Sequence, residues 1–184
     1  MRHFTEHCTA VAITPGPNSR FVSAWHCFDD YRSTITPIQL IDPRSAKPVH
    51  MKLLETGGSM REDWALLTPD SPFIIDTWIP ISTTPHHIGQ PLIAAGFAPQ
   101  PDQSADEAVE RYLLADAACS VIDGSTHLPA SDCVARKGAS GGAIIALTDS
   151  GSARLQGIIS AGDGEAVSYF YPAPLLIRRL GKLP

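Results

Sequence analysis

Prolines and glycines divide this chain into short apolar segments. Among its 184 residues are 16 prolines and 14 glycines. The segments between them have strand length and are bounded by turn residues. Helical character is predicted mainly near the C-terminus, where PAPLLIRRLGK has a proline near its start and Gly181 at its end. FDDYR is predicted to form at most one helical turn. The pattern predicts an all-β chain that ends in a short helix.

The predicted strands fall into two groups. They are CTAVAI, RFVSAW, ITPIQLI, PVHMKLLE, WALLT and TWIPIS in the first half, and PLIAAGF, RYLLADAACSVI, GAIIAL, ARLQGIISAG and AVSYFY in the second. The turn-rich stretch TTPHHIGQ, residues 83–90, separates the groups. We therefore predict two domains, 1–86 and 87–184. The acidic stretch 98–110 is predicted to be an exposed loop.

Composition excludes several classes of protein. A hydrophobic content of 43% is sufficient for one sizeable core or for two smaller halves that share an interface. The net charge is −5 and no Lys/Arg cluster is present, so we do not expect nucleic acid as a partner. No apolar run reaches the roughly 18 residues needed for a membrane span. The first residues are too polar for a signal peptide, so the protein is either cytoplasmic or lacks its leader here.

The cysteines form two local pairs in the sequence. Cys8 and Cys27 lie in the first half, and Cys119 and Cys133 in the second. This arrangement predicts two disulfides and hence an extracytoplasmic protein, secreted or periplasmic. A zinc site is the alternative, because each of Cys8 and Cys27 follows a histidine. Adjacent residues on a strand point to opposite faces, so each His–Cys pair would offer only one inward ligand.

Three polar residues are candidates for chemistry. Ser140 lies in GASGG, a composition that is also typical of a simple turn. His26 ends an apolar strand in SAWHC, where a structural role is the alternative. Asp63 enters the apolar strand of REDWALLT, and a buried carboxylate there must be paired or hydrogen-bonded. A reactive serine needs a base, and the base needs an orienting acid.

Taken together and in this order, SAWHC, DWALL and GASGG resemble the chymotrypsin/trypsin-like serine proteases. GIISAG, residues 157–162, resembles the strand that lines the substrate cleft in that family, and Cys8 falls where the partner of the cysteine after the histidine is expected. The pattern is closest to bacterial, glutamyl-endopeptidase-like members. The resemblance implies two antiparallel, six-stranded-type β-barrels with the active site between them. The first barrel is expected to be complete or shortened, since few residues precede Cys8.

The resemblance also implies roles for individual residues. His26, Asp63 and Ser140 would form the catalytic triad of a serine endopeptidase. The backbone N–H groups of Gly138 and Ser140 would form the oxyanion hole. The substrate-binding residues would be Val134, Ala135, Ser160, Ala161 and Gly162. We expect a peptide or protein substrate, a monomer, and neither a cofactor nor a metal.

Three departures from the family pattern bear on function. Ala139 precedes the serine, where family members matured by cleavage carry an aspartate that pairs with the new N-terminus. The site must therefore form without that switch. Trp25 replaces a small residue before His26. Val134 and Ile159 stand where trypsin-type and glutamyl-type enzymes carry charge-reading residues, which predicts apolar primary specificity. The alternative function is a weakly active or inactive protease-fold binding module, although all three catalytic residues are retained.

Overall fold

The computed structural model describes residues 7–31, 37–42, 47–100 and 110–181. The strands are β1 (Val11–Ala12), β2 (Phe21–Ser23), β3 (Ile38–Leu40), β4 (Val49–Thr56), β5 (Ala65–Pro69), β6 (Pro91–Ala98), β7 (Tyr112–Asp123), β8 (Ala130–Ser131), β9 (Ala143–Leu147), β10 (Ala153–Gly162) and β11 (Ser168–Pro172). A 3₁₀ turn spans Trp25–Phe28, and helix α1 spans Ala173–Leu180. The described part of the chain contains no helix with the length and hydrophobicity that a membrane crossing requires.

The first half forms an antiparallel sheet with the strand order β1-β2-β5-β4-β3. Over the described residues it remains an open sheet of five strands. Its central strands β2 and β5 are buried along their length. The fold is therefore all-β, as predicted, and the first half forms an open sheet in place of a complete barrel.

The second half forms a closed antiparallel barrel of six strands in the order β10-β11-β8-β7-β6-β9. Along β6, Leu92, Ala94 and Ala98 are buried and alternate with less buried residues, which is the two-residue period of a strand with one face in a core. The predicted C-terminal helix is confirmed as α1, which has a proline in its first turn and ends at Gly181.

A shared apolar core joins the sheet to the barrel. Val22 on β2 and Leu66 on β5 pack with Leu155 and Ile158 of β10 and with Leu176 of α1. The neighbouring Phe21 and Leu67 point to the opposite face of the sheet and form a separate core. Strands β2 and β5 are thus buried on both faces, which explains why their sequences are continuous apolar runs. Full burial of a Leu or Ile side chain contributes about 1.5–3 kcal/mol.

One predicted strand is wrong. TWIPIS does not form a strand over 77–82; within the described residues, Ile81 makes an isolated bridge to Leu155. Pro80 lacks an N–H group, and its carbonyl accepts a hydrogen bond from the Leu155 N–H at 2.9 Å. The N–H of Ile79 donates to Ala12 at 3.0 Å. The segment therefore crosses from the sheet to the barrel and bonds to each in turn.

Three further predictions concern the disulfides, the loop 98–110 and the turn in FDDYR. Both predicted disulfides are present, with Cα–Cα distances of 6.3 Å for Cys8–Cys27 and 4.8 Å for Cys119–Cys133. The predicted loop 98–110 lies largely outside the described residues. FDDYR contains one turn, as predicted: the Tyr31 N–H donates to the Phe28 carbonyl at 3.0 Å, directly after the 3₁₀ turn Trp25–Phe28.

A polar cluster also joins the two halves, at Glu62. The Glu62 carboxylate accepts hydrogen bonds from the Tyr171 hydroxyl at 2.6 Å and from Arg179 Nε at 3.0 Å, and it also contacts Arg179 Nη2. The Arg179 guanidinium lowers the pKa of Glu62. Burial and the Glu62 carboxylate raise the pKa of Tyr171. The C-terminal helix is thereby bonded to the residue before Asp63.

We predict that Arg179→Ala lowers the urea midpoint at pH 7, whereas Arg178→Ala, at the exposed neighbouring position, leaves it unchanged. Folding lowers the pKa of Glu62, so its ion pair adds stability above the unfolded-state pKa and loses it as the pH falls through the folded-state pKa. The difference in urea midpoint between wild type and Arg179→Ala should therefore be smaller at about pH 3 than at pH 7. A difference that is equal at both pH values would contradict this assignment.

Candidate active site

His26 lies on the 3₁₀ turn that follows β2. Ala24 is still extended, with φ −80° and ψ 143°, and the chain then turns at Trp25. The disulfide between Cys27 and Cys8 anchors this turn to the segment before β1. The His26 side chain is 23% exposed, so its ring is partly accessible to solvent and does not lie in the core.

Asp63 lies immediately before β5 and has no exposed side-chain surface. Its Oδ1 accepts a hydrogen bond from the His26 backbone N–H at 2.9 Å. The His26 Nδ1 atom is 3.1 Å from Oδ1 and 2.9 Å from Oδ2. The Ser160 hydroxyl donates to Oδ2 as well. These contacts compensate the carboxylate for the water it loses on burial.

The contact between His26 and Asp63 fixes the chemistry of the imidazole ring. A carboxylate can only accept hydrogen bonds, so the proton of the neutral ring is on Nδ1. The other nitrogen, Nε2, is then the acceptor and can take a proton from a neighbouring group. An oriented imidazole beside a buried carboxylate is the arrangement that general-base chemistry requires.

Ser140 lies in a tight turn formed by residues 136–142, here called the Ser140 turn. The Ala139 N–H donates to Arg136 at 2.9 Å, and the Gly142 N–H donates to Ala139 at 2.7 Å. Gly138 has φ +102° and Gly141 has φ +77°, conformations that favour glycine. A Cβ at Gly141 would lie 2.3 Å from the Thr9 carbonyl oxygen. The glycines are therefore required by backbone conformation and by close packing.

Backbone hydrogen bonds join the Ser140 turn to segments that lie beside the His26–Asp63 pair. On one side, the Gly141 N–H donates to Ile159 at 2.7 Å, and the next residue, Ser160, bonds to Asp63. On the other side, the Ser140 carbonyl accepts the N–H of Thr9 at 2.8 Å. Thr9 follows Cys8, whose disulfide partner follows His26. Both elements that flank the His26–Asp63 pair thus also contact the Ser140 turn.

Two N–H groups of the Ser140 turn lack a backbone acceptor among the described residues. Across the residues that the structure describes, no backbone hydrogen bond uses the N–H of Gly138 or that of Ser140. Gly138 is buried and Ser140 is half-buried. A turn with such N–H groups can bind a negatively charged oxygen.

The residues predicted to bind substrate occupy three different environments. Val134 and Ala135 line a cavity of about 220 Å³ that also reaches Ala139 and Ile159. Ser160 is buried, and its hydroxyl faces Asp63. Ala161 and Gly162 are exposed at the end of β10. There they pair with β11 on one edge, while the pairing of β10 with β9 ends at Ile158.

The cavity contains a carboxylate that the sequence reasoning missed. Asp116 of β7 lies in its wall, and its two oxygens accept the N–H groups of Val134 at 2.9 Å and Ala118 at 3.1 Å. Two further acids close in sequence to the predicted pocket residues, Asp132 and Asp163, make other contacts. Asp132 accepts the Ser120 N–H. Asp163 accepts three N–H groups of its own loop, which lower its pKa to about 2.

The residues that suggested zinc do lie close together. Ligand atoms of Cys8, His26 and Cys27 are within 4.8 Å of one another. Both sulfurs belong to the disulfide, however, and a disulfide offers no thiolate to a metal. The set then supplies a single nitrogen ligand, which does not fit the four-ligand site that structural zinc requires.

No family model matches the chain, and no curated protein matches its sequence. Solved structures do resemble it. A thermostable serine protease, AL20, from an extremophilic microorganism has a TM-score of 0.67 at 16% identity, over 90% of this chain and 84% of that one. The serine endoprotease from Yersinia pestis has a TM-score of 0.65 at 19% identity, over 93% and 55% of the two chains.

The MamO protease domain from Magnetospirillum magneticum has a TM-score of 0.61 at 17% identity, over 98% of this chain and 93% of that one. Identities this low carry information about the fold alone. The open sheet, the closed barrel and the short C-terminal helix agree with that likeness. The chain therefore has the fold of the trypsin-like serine proteases.

Proposed function

We propose that this protein is a serine endopeptidase that uses His26, Asp63 and Ser140 as a catalytic triad. The observation that carries the proposal is the contact of the buried Asp63 carboxylate with His26 Nδ1 at 2.9 Å. That contact gives His26 the tautomer of a general base. The hydrogen bonds from the Ser140 turn to Thr9 and Ile159, whose neighbours flank the same pair, support the choice of Ser140 as nucleophile.

In the proposed reaction, Ser140 Oγ bonds to the carbonyl carbon of the substrate as its proton passes to His26 Nε2. The N–H groups of Gly138 and Ser140 donate to the oxygen that becomes negative, and one such donor is worth about 2.7–4 kcal/mol. His26 then gives the proton to the leaving amine as the C–N bond breaks. An acyl ester remains on Ser140.

Water completes the cycle by the same route. It attacks the ester carbon while its proton passes to His26, and that proton returns to Ser140 Oγ as the ester bond breaks. Asp63 stabilises the imidazolium in both halves of the reaction without itself becoming protonated. The products are a carboxylic acid, an amine and the regenerated serine.

The substrate is proposed to be an extended peptide. The free edge of β10 at Ala161 and Gly162 offers backbone groups to which a peptide could pair as an added strand. The names of the similar structures, all proteases, agree with this class of substrate. We also propose the division of the chain at residues 86 and 87, because the sheet strands end at Pro69 and the barrel strands begin at Pro91.

Two disulfides favour an oxidising compartment, and we propose a secreted or periplasmic protein on that ground. A monomeric state and the absence of nucleic-acid partners remain predictions from the sequence.

The proposal predicts the effect of removing the nucleophile. Ser140→Ala should lower peptide hydrolysis by roughly 10⁴–10⁶-fold and abolish covalent labelling by a fluorophosphonate, because it removes the hydroxyl on which the acyl ester is proposed to form. Ser152→Ala, in the exposed turn between β9 and β10, serves as the matched control and should keep both properties. Circular dichroism would verify that each variant is folded.

A folded wild-type protein that binds peptides but neither hydrolyses them nor reacts with the fluorophosphonate would contradict the enzyme proposal. It would favour the inactive binding module instead. Labelling that persists in Ser140→Ala would assign the nucleophile to another residue.

Primary specificity is proposed to be apolar. Val134 and Ala135 present apolar atoms, and both oxygens of Asp116 already accept backbone N–H groups. Burial of an unpaired lysine side chain there would cost several kcal/mol. An apolar side chain would gain up to about 1.5–3 kcal/mol. We predict preferential cleavage after small or medium apolar residues, measured with a peptide library.

Val134→Asp is the matched variant for this specificity test. It should shift cleavage towards Lys and Arg, because it adds a carboxylate to the wall of the cavity. Dominant cleavage after Lys or Arg by the wild-type protein would refute the apolar pocket and point to Asp116. Dominant cleavage after Glu would point to Arg136 or Lys137.

A further inference from the structure

The side chain of Thr9 joins the first sheet segment to the Ser140 turn. Thr9 is buried, with 5% exposure. Its hydroxyl oxygen is 2.8 Å from the backbone nitrogen of Phe97 and 2.9 Å from the carbonyl oxygen of Gly138. The Phe97 N–H can only donate, so the hydroxyl accepts there and directs its own proton to Gly138. The direction of both bonds is therefore fixed.

The backbone of Thr9 also contacts this region. Its N–H donates to the Ser140 carbonyl at 2.8 Å, and its carbonyl accepts the Ser23 hydroxyl at 2.7 Å. Thr9 thus binds the carbonyl groups of Gly138 and Ser140. These are the two residues whose N–H groups are proposed to receive the negatively charged oxygen.

Because each peptide group is planar, these contacts restrict the backbone conformation of the Ser140 turn. The Gly138 carbonyl and the Ala139 N–H belong to one plane. The Thr9 hydroxyl donates to the Gly138 carbonyl oxygen, and the Ala139 N–H donates to the Arg136 carbonyl. The plane of the Ser140 carbonyl and the Gly141 N–H is likewise bound at both ends, by Thr9 and by Ile159.

The plane between these two carries the Ser140 N–H. Its oxygen, on Ala139, accepts the Gly142 N–H at 2.7 Å. Three consecutive peptide planes are therefore fixed, and Thr9 fixes the outer two. Ala139 itself is buried and has only a methyl group, so its side chain offers no polar contact that could orient the turn.

We propose that Thr9 is a positioning residue whose hydroxyl holds the Ser140 turn in the conformation that binds the negatively charged oxygen. This inference rests on the proposed function. The hydroxyl acts through Gly138 and does not touch the substrate. Thr9 lies in the first half of the chain and orients a turn that belongs to the second half.

The test compares Thr9→Val with wild type. Valine keeps the shape of the side chain and both backbone bonds of Thr9 but removes the hydroxyl. Since loss or misplacement of an oxyanion donor costs about 10²-fold or more in rate, kcat for a peptide substrate should fall about 10²-fold. KM should change by less than about 3-fold, because binding of the substrate strand is unaffected. Thr9→Ser restores the hydroxyl and should recover most of kcat.

Thr68→Val is the matched control. The Thr68 hydroxyl donates to the Ser19 carbonyl at 3.2 Å within the first sheet, and Thr68 is also partly buried. Its removal should leave kcat near the wild-type value. Hydrogen exchange gives a second readout that needs no activity. The N–H groups of Ala139 and Gly141 should exchange at least about 10-fold faster in Thr9→Val than in wild type, and at the wild-type rate in Thr68→Val.

Several outcomes would overturn the proposal. One is an unchanged kcat and unchanged exchange at Ala139 and Gly141 in Thr9→Val. A second is a loss of kcat in Thr68→Val equal to that in Thr9→Val. A third is a rise in KM for Thr9→Val while kcat stays at the wild-type value. A Thr9→Val protein that fails to fold while Thr9→Ser folds would assign Thr9 to folding. If wild type shows no hydrolysis, the proposed function fails, and the exchange measurement alone then decides whether Thr9 orients the turn.

Discussion

The buried carboxylate of Asp63 is the constraint on which the site depends. A charged group with no exposed surface is stable only when its oxygens accept hydrogen bonds. Here the donors come from two separate parts of the molecule, since His26 follows β2 of the sheet and Ser160 belongs to β10 of the barrel. Satisfying one carboxylate therefore requires that the sheet and the barrel meet at this point.

The packing around that point reinforces the same geometry. The shared core places Leu66, close after Asp63, against Leu155 and Ile158, which precede Ser160. The Cys8–Cys27 disulfide fixes the His26 turn relative to Thr9, and Thr9 bonds to the Ser140 turn. Apolar contacts supply the bulk of the association, and the few polar contacts determine its register.

Local patterns predicted the strands, the C-terminal helix, the disulfides and the entry of an acid into a buried strand. They did so because strand period, turn residues and capping act over a few neighbouring residues. The contacts of Ser160 with Asp63, of Thr9 with Gly138 and of Asp116 with Val134 join residues far apart in the sequence. Nothing in GIISAG or HCTAVAI distinguishes these hydroxyls from ordinary strand residues. TWIPIS was misread because its alternation resembles a strand, while Pro80 prevents ladder pairing on one side.

The most direct measurement of the central claim is a crystal structure of the protein after reaction with an organophosphonate fluoride. We expect a covalent bond from phosphorus to Ser140 Oγ, with the phosphonyl oxygen about 2.7–3.1 Å from the N–H nitrogens of both Gly138 and Ser140. His26 Nδ1 should still contact Asp63. A phosphonyl group on any other residue, or one on Ser140 whose oxygen points away from both N–H groups, would contradict the proposed triad and oxyanion hole.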